Sequence, residues 1–188
     1  MLLDVGSVIK RGADGICMDL HPQADIVHDV RVTPWPVGSA SVDGLLASHI
    51  LEHFTREQGW EFLSECHRVL APACNISIAV PDMDKFILGL ILDDPGEYDN
   101  WQPANLNWCL GGGPNTTPPY ENDPMNNPDG HKSLYCFESL AYMLEYSGFV
   151  NIRRVTYNTS IFHTYHTEKY KEFSLYVDAQ RSVTGGSS

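Results

Sequence analysis

Several sequence features are missing from this chain, and each absence excludes a class of protein. No apolar run reaches about 18 residues, so the sequence predicts no transmembrane helix. The first ten residues, MLLDVGSVIK, include neither a basic segment nor a long apolar one, which argues against a secretory signal peptide. The five cysteines are scattered and form no Cys-x-x-Cys pair. We therefore expect reduced thiols and a cytoplasmic location, without a disulfide scaffold or a thiolate zinc site.

Basic residues are also scarce. Twelve Lys and Arg stand against 24 Asp and Glu, which gives a formal net charge of −12. Binding to a phosphate backbone depends on clustered Lys and Arg, so the composition argues against a nucleic-acid partner. What is present is apolar: 43% of the 188 residues are hydrophobic and 11% are aromatic. That is enough for a folded core, and the length suits one domain.

Short apolar runs bounded by turn residues predict strands at 1–6, 15–20, 24–30, 42–50, 75–82, 150–157 and 172–180. Apolar positions from Phe54 to Leu70 follow a helical period, and Pro72 is the predicted stop. A second helix is predicted within 136–149, with Gly148 as its C-cap. Strands that alternate with helices after residue 42 indicate an α/β domain with a largely parallel sheet.

The first connections are unusually short. Residues 7–14 join the first two predicted strands, and about four residues join the second to the third, whereas a parallel crossover normally needs about a dozen. These crossovers must then be loops, and one face of that half of the sheet lacks its helical cover. Because a bare apolar face favours association, we expect a homodimer.

Polar residues follow four of the predicted strands at the points where they end: Asp4 and Gly6, Asp19, Asp29, and Ser48 with His49. In open α/β sheets, ligands bind beyond the carboxyl ends of the strands, so these residues define a candidate site. An acidic residue after the second strand suits a ribose diol, because a carboxylate accepts from both hydroxyls.

Taken in order, these stretches resemble the class I S-adenosylmethionine-dependent methyltransferases, and most closely the small type-11-like family with shortened early helices. The matching stretches are LLDVGS (2–7), GICMDL (15–20), ADIVHDV (24–30), TPWPVGSASVDGLLASHILEHF (33–54), ECHRVLAP (65–72), ISIAVPD (76–82) and LEYSGFVNIRRV (144–155). The resemblance implies one domain over 1–182 with a Rossmann-like methyltransferase fold. Its sheet is mostly parallel, the last strand is antiparallel, and the helices between the first three strands are reduced.

The resemblance also implies a cofactor, S-adenosylmethionine, held by Asp4, Gly6, Ser7, Asp19, Leu20, Asp29, Val30, Ser48 and His49. By position, Gly6 would face the methionine part, Asp19 the ribose hydroxyls and Asp29 the adenine. The alternative for Asp4, Asp19 and Asp29 is a structural role as loop and cap carboxylates, and the ordered match favours the cofactor role. The implied reaction is methylation of a small molecule or of a sugar-containing surface-polymer precursor.

An oxygen or nitrogen acceptor can need a general base, because methyl transfer otherwise relies on alignment with an activated methyl group. His49 is the first candidate, since imidazole titrates near neutrality. Asp82 and His131 are the others, and for all three a structural role remains open. A metal site is not expected. The stretch His49 to His53 fits H-x-x-E-H, but that zinc pattern needs one long helix and His49 falls at a strand end.

Two departures from the family pattern support an alternative, a non-catalytic binding or scaffold protein on the same fold. Val8 stands where the family has the second glycine of Gly-x-Gly, and a β-branched residue resists positive φ and crowds a ligand. Ala73 and Cys74 replace the two glycines of a Pro-Gly-Gly turn.

Residues 93–130 form an irregular acidic insertion. They contain seven Pro, seven Asn, five Gly, five Asp and two Glu, with no Lys or Arg, so they carry −7 of the net charge. The aromatic residues among them fit either a lid over the substrate or an anchor to the core. The concentrated negative charge favours a neutral or cationic methyl acceptor. The stretch Thr117 to Tyr120 is interpreted as a plain proline-rich loop, and the tail 183–188 as disordered.

Overall fold

The computed structural model describes residues 1–10, 12–92, 130–166 and 170–183. Its strands are β1 (Leu2–Val5), β2 (Ile16–Asp19), β3 (Ile26–Val27), β4 (Val42–Ser48), β5 (Leu70–Pro81), β6 (Phe149–Val155) and β7 (Ser174–Arg181). They form one sheet in the order β3-β2-β1-β4-β5-β7-β6. The pairs from β3 across to β5 are parallel, and β7 runs antiparallel to both β5 and β6. The predicted fold class is therefore confirmed.

In the described parts of the chain three α-helices accompany the sheet: α1 (Arg56–Val69), α2 (Met83–Leu92) and α3 (Phe137–Tyr146). α1 begins with a capping box, in which the Thr55 hydroxyl accepts from the Gln58 amide and the Gln58 side chain accepts from the Thr55 amide. α1 and α3 place Phe62 and Leu140 in the same buried apolar cluster as alternate residues of the central strands. α2 was not predicted from the sequence. No described helix has the length and apolar character needed to span a membrane.

The connections between the first three strands are loops, as predicted. In the described residues 7–10, 12–15 and 20–25 no helix forms, and β3 is only two residues long instead of the predicted 24–30. Without helices above them, apolar side chains of this region remain exposed: Val8, Ile9, Leu20, Val27 and Val32. Self-association through this surface remains a prediction.

The turn at Pro72 differs from the prediction. α1 ends at Val69 and Leu70 already pairs with β4, so the strand starts before the proline instead of at residue 75. A proline disfavours helical backbone at the residue before it, which places the helix end upstream. Between the pairs Val42–Leu70 and Gly44–Asn75 the register shifts, and Ala73 lies in this bulge at a φ of 63°. Residues 70–74 are therefore an irregular extension of β5.

The sheet face opposite α1 and α3 is contacted by the connection between β6 and β7. Ser160 donates to Asp178 of β7 (3.1 Å), so Ser77 Oγ of β5 donates to Ser160 Oγ (2.9 Å) and accepts from His166 Nε2 (2.8 Å). All four residues are buried, and buried polar groups need such partners. This network holds the connection against the sheet.

Apart from Gly130 and Val183, the predicted insertion (93–130) and tail (183–188) lie outside the described residues. The lid hypothesis and the Thr117–Tyr120 interpretation therefore stay predictions.

Candidate functional site

A narrow cleft of about 220 Å³ opens at the carboxyl ends of β1, β2 and β4. Five of the predicted cofactor residues line it: Gly6, Asp19, Leu20, Asp29 and Val30. Parallel strands end at the same edge of a sheet, which is why residues that are distant in sequence meet here. Asp4 and Ser7 are not among the lining residues. Asp4 is buried within β1, and Ser7 Oγ accepts from the Ile9 amide at 3.0 Å.

Gly6 ends β1 in a left-handed conformation, with a φ of 76°. A Cβ atom at this position would lie only 2.8 Å from Cδ1 of Ile50, so the Ile50 side chain covers the glycine. Val8 does not adopt a positive φ and its side chain is 41% exposed, so the replacement of the family's second glycine causes no backbone strain. Of the residues that replace glycines of the family pattern, Ala73 is the one found to have a positive φ.

The two acidic residues of the cleft differ in how they are engaged. Asp19 Oδ1 accepts from the His21 amide at 2.8 Å, and its second oxygen has no hydrogen bond within the described part of the chain. Asp29 is held by Arg31, whose Nε and Nη2 each donate to it at 2.8 Å. This bidentate contact lowers the pKa of Asp29. Because Arg31 also lines the cleft, it is placed to compete with a ligand for Asp29.

A second, wide cavity of about 660 Å³ lies between α2, the end of β6 and the start of β7. Its charged lining residues are Asp82, Lys85, Arg154, Lys171 and Glu172. Asp82 is 1% exposed and accepts from Arg154 Nη2 at 2.7 Å, while Lys85 Nζ lies 3.8 Å away. Burial lowers the pKa of Lys85, and the neighbouring Asp82 opposes that effect. The wall therefore combines apolar side chains with charged groups, of which Asp82 is paired with Arg154 and Lys85.

His49 lines neither cavity, but its chain neighbour Ile50 lines the cleft and its hydrogen-bond partner Ser174 lines the wide cavity. Its Nε2 is 2.9 Å from Ser174 Oγ, which lines the wide cavity, and its Nδ1 is 3.1 Å from Glu52 Oε1. The Tyr170 ring packs on the imidazole with a centroid separation of 4.9 Å. His49 has a φ of 56°, a conformation that non-glycine residues rarely adopt and that is found more often at functional sites.

The remaining predicted residues separate into different surroundings. The His131 ring packs edge-on against His53, with centroids 4.9 Å apart, and the amide of the next residue, Lys132, donates to the Glu52 carbonyl at 2.7 Å. Ser48 Oγ lies 3.4 Å from His166 Nδ1, on the sheet face held by the β6–β7 connection. The structure thus brings His49 and His131 to the same turn, Leu51–His53, and leaves Asp82 with Arg154.

Sequence reasoning missed several residues of this site. Ile50, Glu52 and His53 lie inside the stretch that carried the family resemblance, so a signal for them existed. The basic residues of the wide cavity come from three separate segments, and no local pattern links them.

Comparisons with known proteins bear on the fold. No protein-family model and no curated protein sequence matches the chain. A SAM-dependent methyltransferase from Archaeoglobus fulgidus is similar in structure, with a TM-score of 0.56 and 16% identity over 96% of this chain and 85% of that one. An O-methyltransferase family protein from Burkholderia thailandensis has a TM-score of 0.58 and 12% identity, over 98% of this chain and 51% of its own.

A third structure from Burkholderia thailandensis is 1,6-didemethyltoxoflavin-N1-methyltransferase with bound 1,6-didemethyltoxoflavin and S-adenosylhomocysteine. Its TM-score is 0.53, with 17% identity over 96% of this chain and 70% of that chain. At such identities the likeness concerns the fold. The chain has the Rossmann-like α/β fold of the class I SAM-dependent methyltransferases.

Proposed function

We propose that the protein is an S-adenosylmethionine-dependent methyltransferase whose acceptor is a small polar molecule, such as a sugar or a surface-polymer precursor. The observation that carries the proposal is the arrangement of two cavities at one edge of the sheet, which Ile50 and Ser174, the chain neighbour and the hydrogen-bond partner of His49, line from either side. In this proposal the narrow cleft takes the cofactor and the wide cavity takes the acceptor.

The cleft residues fit parts of the cofactor. Asp19 has an oxygen available for the ribose hydroxyls, and Val30 supplies an apolar wall for the adenine ring. The cofactor brings a methyl group on a sulfonium, which makes it reactive without further activation. The cleft volume of about 220 Å³ is below the roughly 300 Å³ at which ligand pockets usually begin. Binding therefore requires Arg31 and Ile50 to move aside.

The wide cavity suits a polyhydroxy acceptor. Hydroxyl and amide side chains line it together with the charged groups: Thr156, Tyr157, Asn158, Thr159 and Ser174. Three basic and two acidic side chains line the cavity, and Arg154 pairs with Asp82. This near balance of charge favours a neutral or zwitterionic molecule. The acidic insertion suggested a neutral or cationic acceptor, and the cavity supports only the neutral one of these two classes.

His49 is the proposed general base. An acceptor in the wide cavity meets Ser174, whose hydroxyl contacts His49 Nε2. In this structure Ser174 Oγ donates to the Tyr170 carbonyl at 2.7 Å, so a proton reaches Nε2 only when this hydroxyl turns from Tyr170 to His49. The buried Glu52 carboxylate at Nδ1 then stabilises the imidazolium that forms. His49→Gln is expected to lower kcat and alter its pH profile while the affinity for S-adenosylhomocysteine is unchanged. Equal loss of kcat at every pH would assign His49 a structural role.

Calorimetry with S-adenosylhomocysteine tests the cofactor assignment. Asp19→Ala is expected to weaken binding about 10- to 100-fold, because a charge-assisted hydrogen bond contributes roughly 1.5–3 kcal/mol. Asp14→Ala is the matched control, since Asp14 is an exposed loop aspartate outside the cleft. Wild-type protein that shows no binding up to about 1 mM ligand would remove the enzyme proposal.

The alternative is a binding or scaffold protein on the same fold. It is favoured by the side chains that fill the cleft, Ile50 over Gly6 and Arg31 on Asp29. Ile50→Ala distinguishes the two, because it enlarges the cleft without touching a polar group. An enzyme with an adjustable cleft binds S-adenosylhomocysteine before and after this change, whereas a decayed cleft binds it only after the change.

A further inference from the structure

The cluster formed by Glu52, His53 and His131 has the composition of a transition-metal site. One ligand atom from each residue lies within 4.8 Å of the other two. Two imidazoles and a carboxylate are a ligand set that zinc accepts in catalytic sites, and imidazole also suits iron, nickel and copper. The stretch His49 to His53 does not form the zinc motif H-x-x-E-H on one helix, because His49 lies at a strand end. In the structure the second histidine of the cluster is His131 instead of His49.

A second observation independently points to a ligand. Glu52 is 1% exposed, and its Oε2 has no hydrogen-bond partner among the described residues. A buried carboxylate oxygen without a partner is costly, because it has lost water and gained nothing in exchange. A bound cation would supply the missing partner.

Hydrogen bonds from surrounding residues hold the ligands of the cluster in place, as is usual for metal ligands. Glu52 Oε1 is 3.1 Å from His49 Nδ1, and His49 is held in turn by Ser174. The backbone carbonyl of Glu52 accepts from the amides of Lys132 and Ser133, which ties the His131 segment to the 3₁₀ turn. Such contacts fix the orientation of a ligand before the ion arrives.

We propose that Glu52, His53 and His131 bind one divalent first-row transition-metal ion at the wall of the narrow cleft. With metal–ligand distances of about 2.1 Å, tetrahedral ligand atoms lie about 3.4 Å apart, so the present atoms need to approach by at most about 1.4 Å. His53 is half-buried and lines the cleft, so its ring has room to turn. Three protein ligands leave a coordination position open to a molecule in the cleft. This site does not depend on the proposed methyltransferase activity.

Chelator-treated full-length protein is titrated with Zn²⁺ by calorimetry and with Co²⁺ by visible absorption. We expect one equivalent to bind, with ligand-field bands in the Co²⁺ spectrum. His53→Gln and Glu52→Gln are expected to weaken binding at least about tenfold, since loss of even a supporting contact costs about 10- to 100-fold. His21→Gln is the matched control, because His21 is an exposed histidine outside the cluster.

A measurement on the wild-type protein covers the case in which a variant fails to fold. Diethylpyrocarbonate acylates accessible imidazoles, and mass spectrometry locates the adducts. Bound Zn²⁺ is expected to protect His53 at least about tenfold relative to His21. No binding of either ion, binding that persists equally in folded His53→Gln, or unchanged acylation of His53 would each overturn the proposal.

Discussion

Replacement of Gly6 by alanine is predicted to destabilise the protein through two separable effects. The first is backbone strain, since a φ of 76° costs a non-glycine residue about 1–2 kcal/mol. The second is overpacking: the new Cβ would lie 2.8–3.0 Å from three atoms of Ile50, and overpacking typically costs about 1–3 kcal/mol. The free energy of unfolding should therefore fall by about 2–5 kcal/mol, which for a chain of this size lowers Tm by about 4–20 °C.

Gly12→Ala is the matched control. Gly12 has nearly the same φ, 73°, but a Cβ there meets only the terminal hydroxyl of Tyr165, at 3.2 Å. This variant should show the backbone cost alone, about 1–2 kcal/mol. The difference between the two alanine variants thus measures the steric contribution of Ile50.

Urea unfolding of the two alanine variants, of Ile50→Ala and of Gly6→Ala/Ile50→Ala completes a double-mutant cycle. Loss of Cδ1 and Cγ1 should make the double variant about 1–2 kcal/mol more stable than the sum of the single effects. If Gly6→Ala is no more destabilising than Gly12→Ala, Ile50 does not cover the glycine firmly. In that case a ligand would not need to displace the Ile50 side chain to enter the cleft.

Three further predictions concern stability and its dependence on pH. Ala73→Gly should raise the free energy of unfolding by about 0.5–1 kcal/mol in a thermal melt, because alanine pays for a φ of 63° that glycine adopts freely. Burial lowers the pKa of His67 from its ordinary 6.5, so on acidification the imidazole is protonated in the unfolded chain before it is protonated in the folded one. The free energy of unfolding of the wild type should therefore fall as pH drops below about 6.5. In urea titrations His67→Phe should reduce this dependence of stability on pH. Arg68 lowers the pKa of Glu65 from 4.5 through a bidentate contact at 2.7–2.8 Å. The contribution of the Glu65 carboxylate to the free energy of unfolding is therefore present above pH 4.5 and is lost as pH falls through the pKa of Glu65 in the folded protein. Glu65→Gln should cost about 1–3 kcal/mol at pH 7, and its stability should converge with the wild type in acid; a constant difference across pH would contradict this assignment.

Much of the fold was predictable because it rests on local patterns. Alternation of apolar runs with turns located seven strands, and the short spacing after Gly6 and Asp19 predicted loops in place of helices. Boundaries were less predictable. The strand that was expected at residue 75 begins at Leu70, because pairing with β4 continues through the bulge around Ala73. α2 escaped prediction altogether.

The candidate site was predictable only along the sheet edge. Residues that end parallel strands must lie side by side, so Gly6, Asp19 and Asp29 could be grouped from their order alone. The contacts that their side chains make could not be predicted, because those contacts depend on the direction of each side chain. No sequence pattern specifies that Arg31 donates hydrogen bonds to Asp29 or that the Ile50 side chain covers Gly6.

By itself, the sequence determined the class of fold, the loops between the first strands and the residues that end each strand, because these follow from periodicity and chain length. Only the tertiary structure decided which distant groups meet. His131 reaches Glu52 and His53 across a gap of more than 70 residues, since backbone hydrogen bonds tie its segment to the turn after β4. Ser174 likewise meets His49 through sheet pairing, over a separation of 125 residues. Contacts at such separations depend on the packing of whole elements, which no local pattern records.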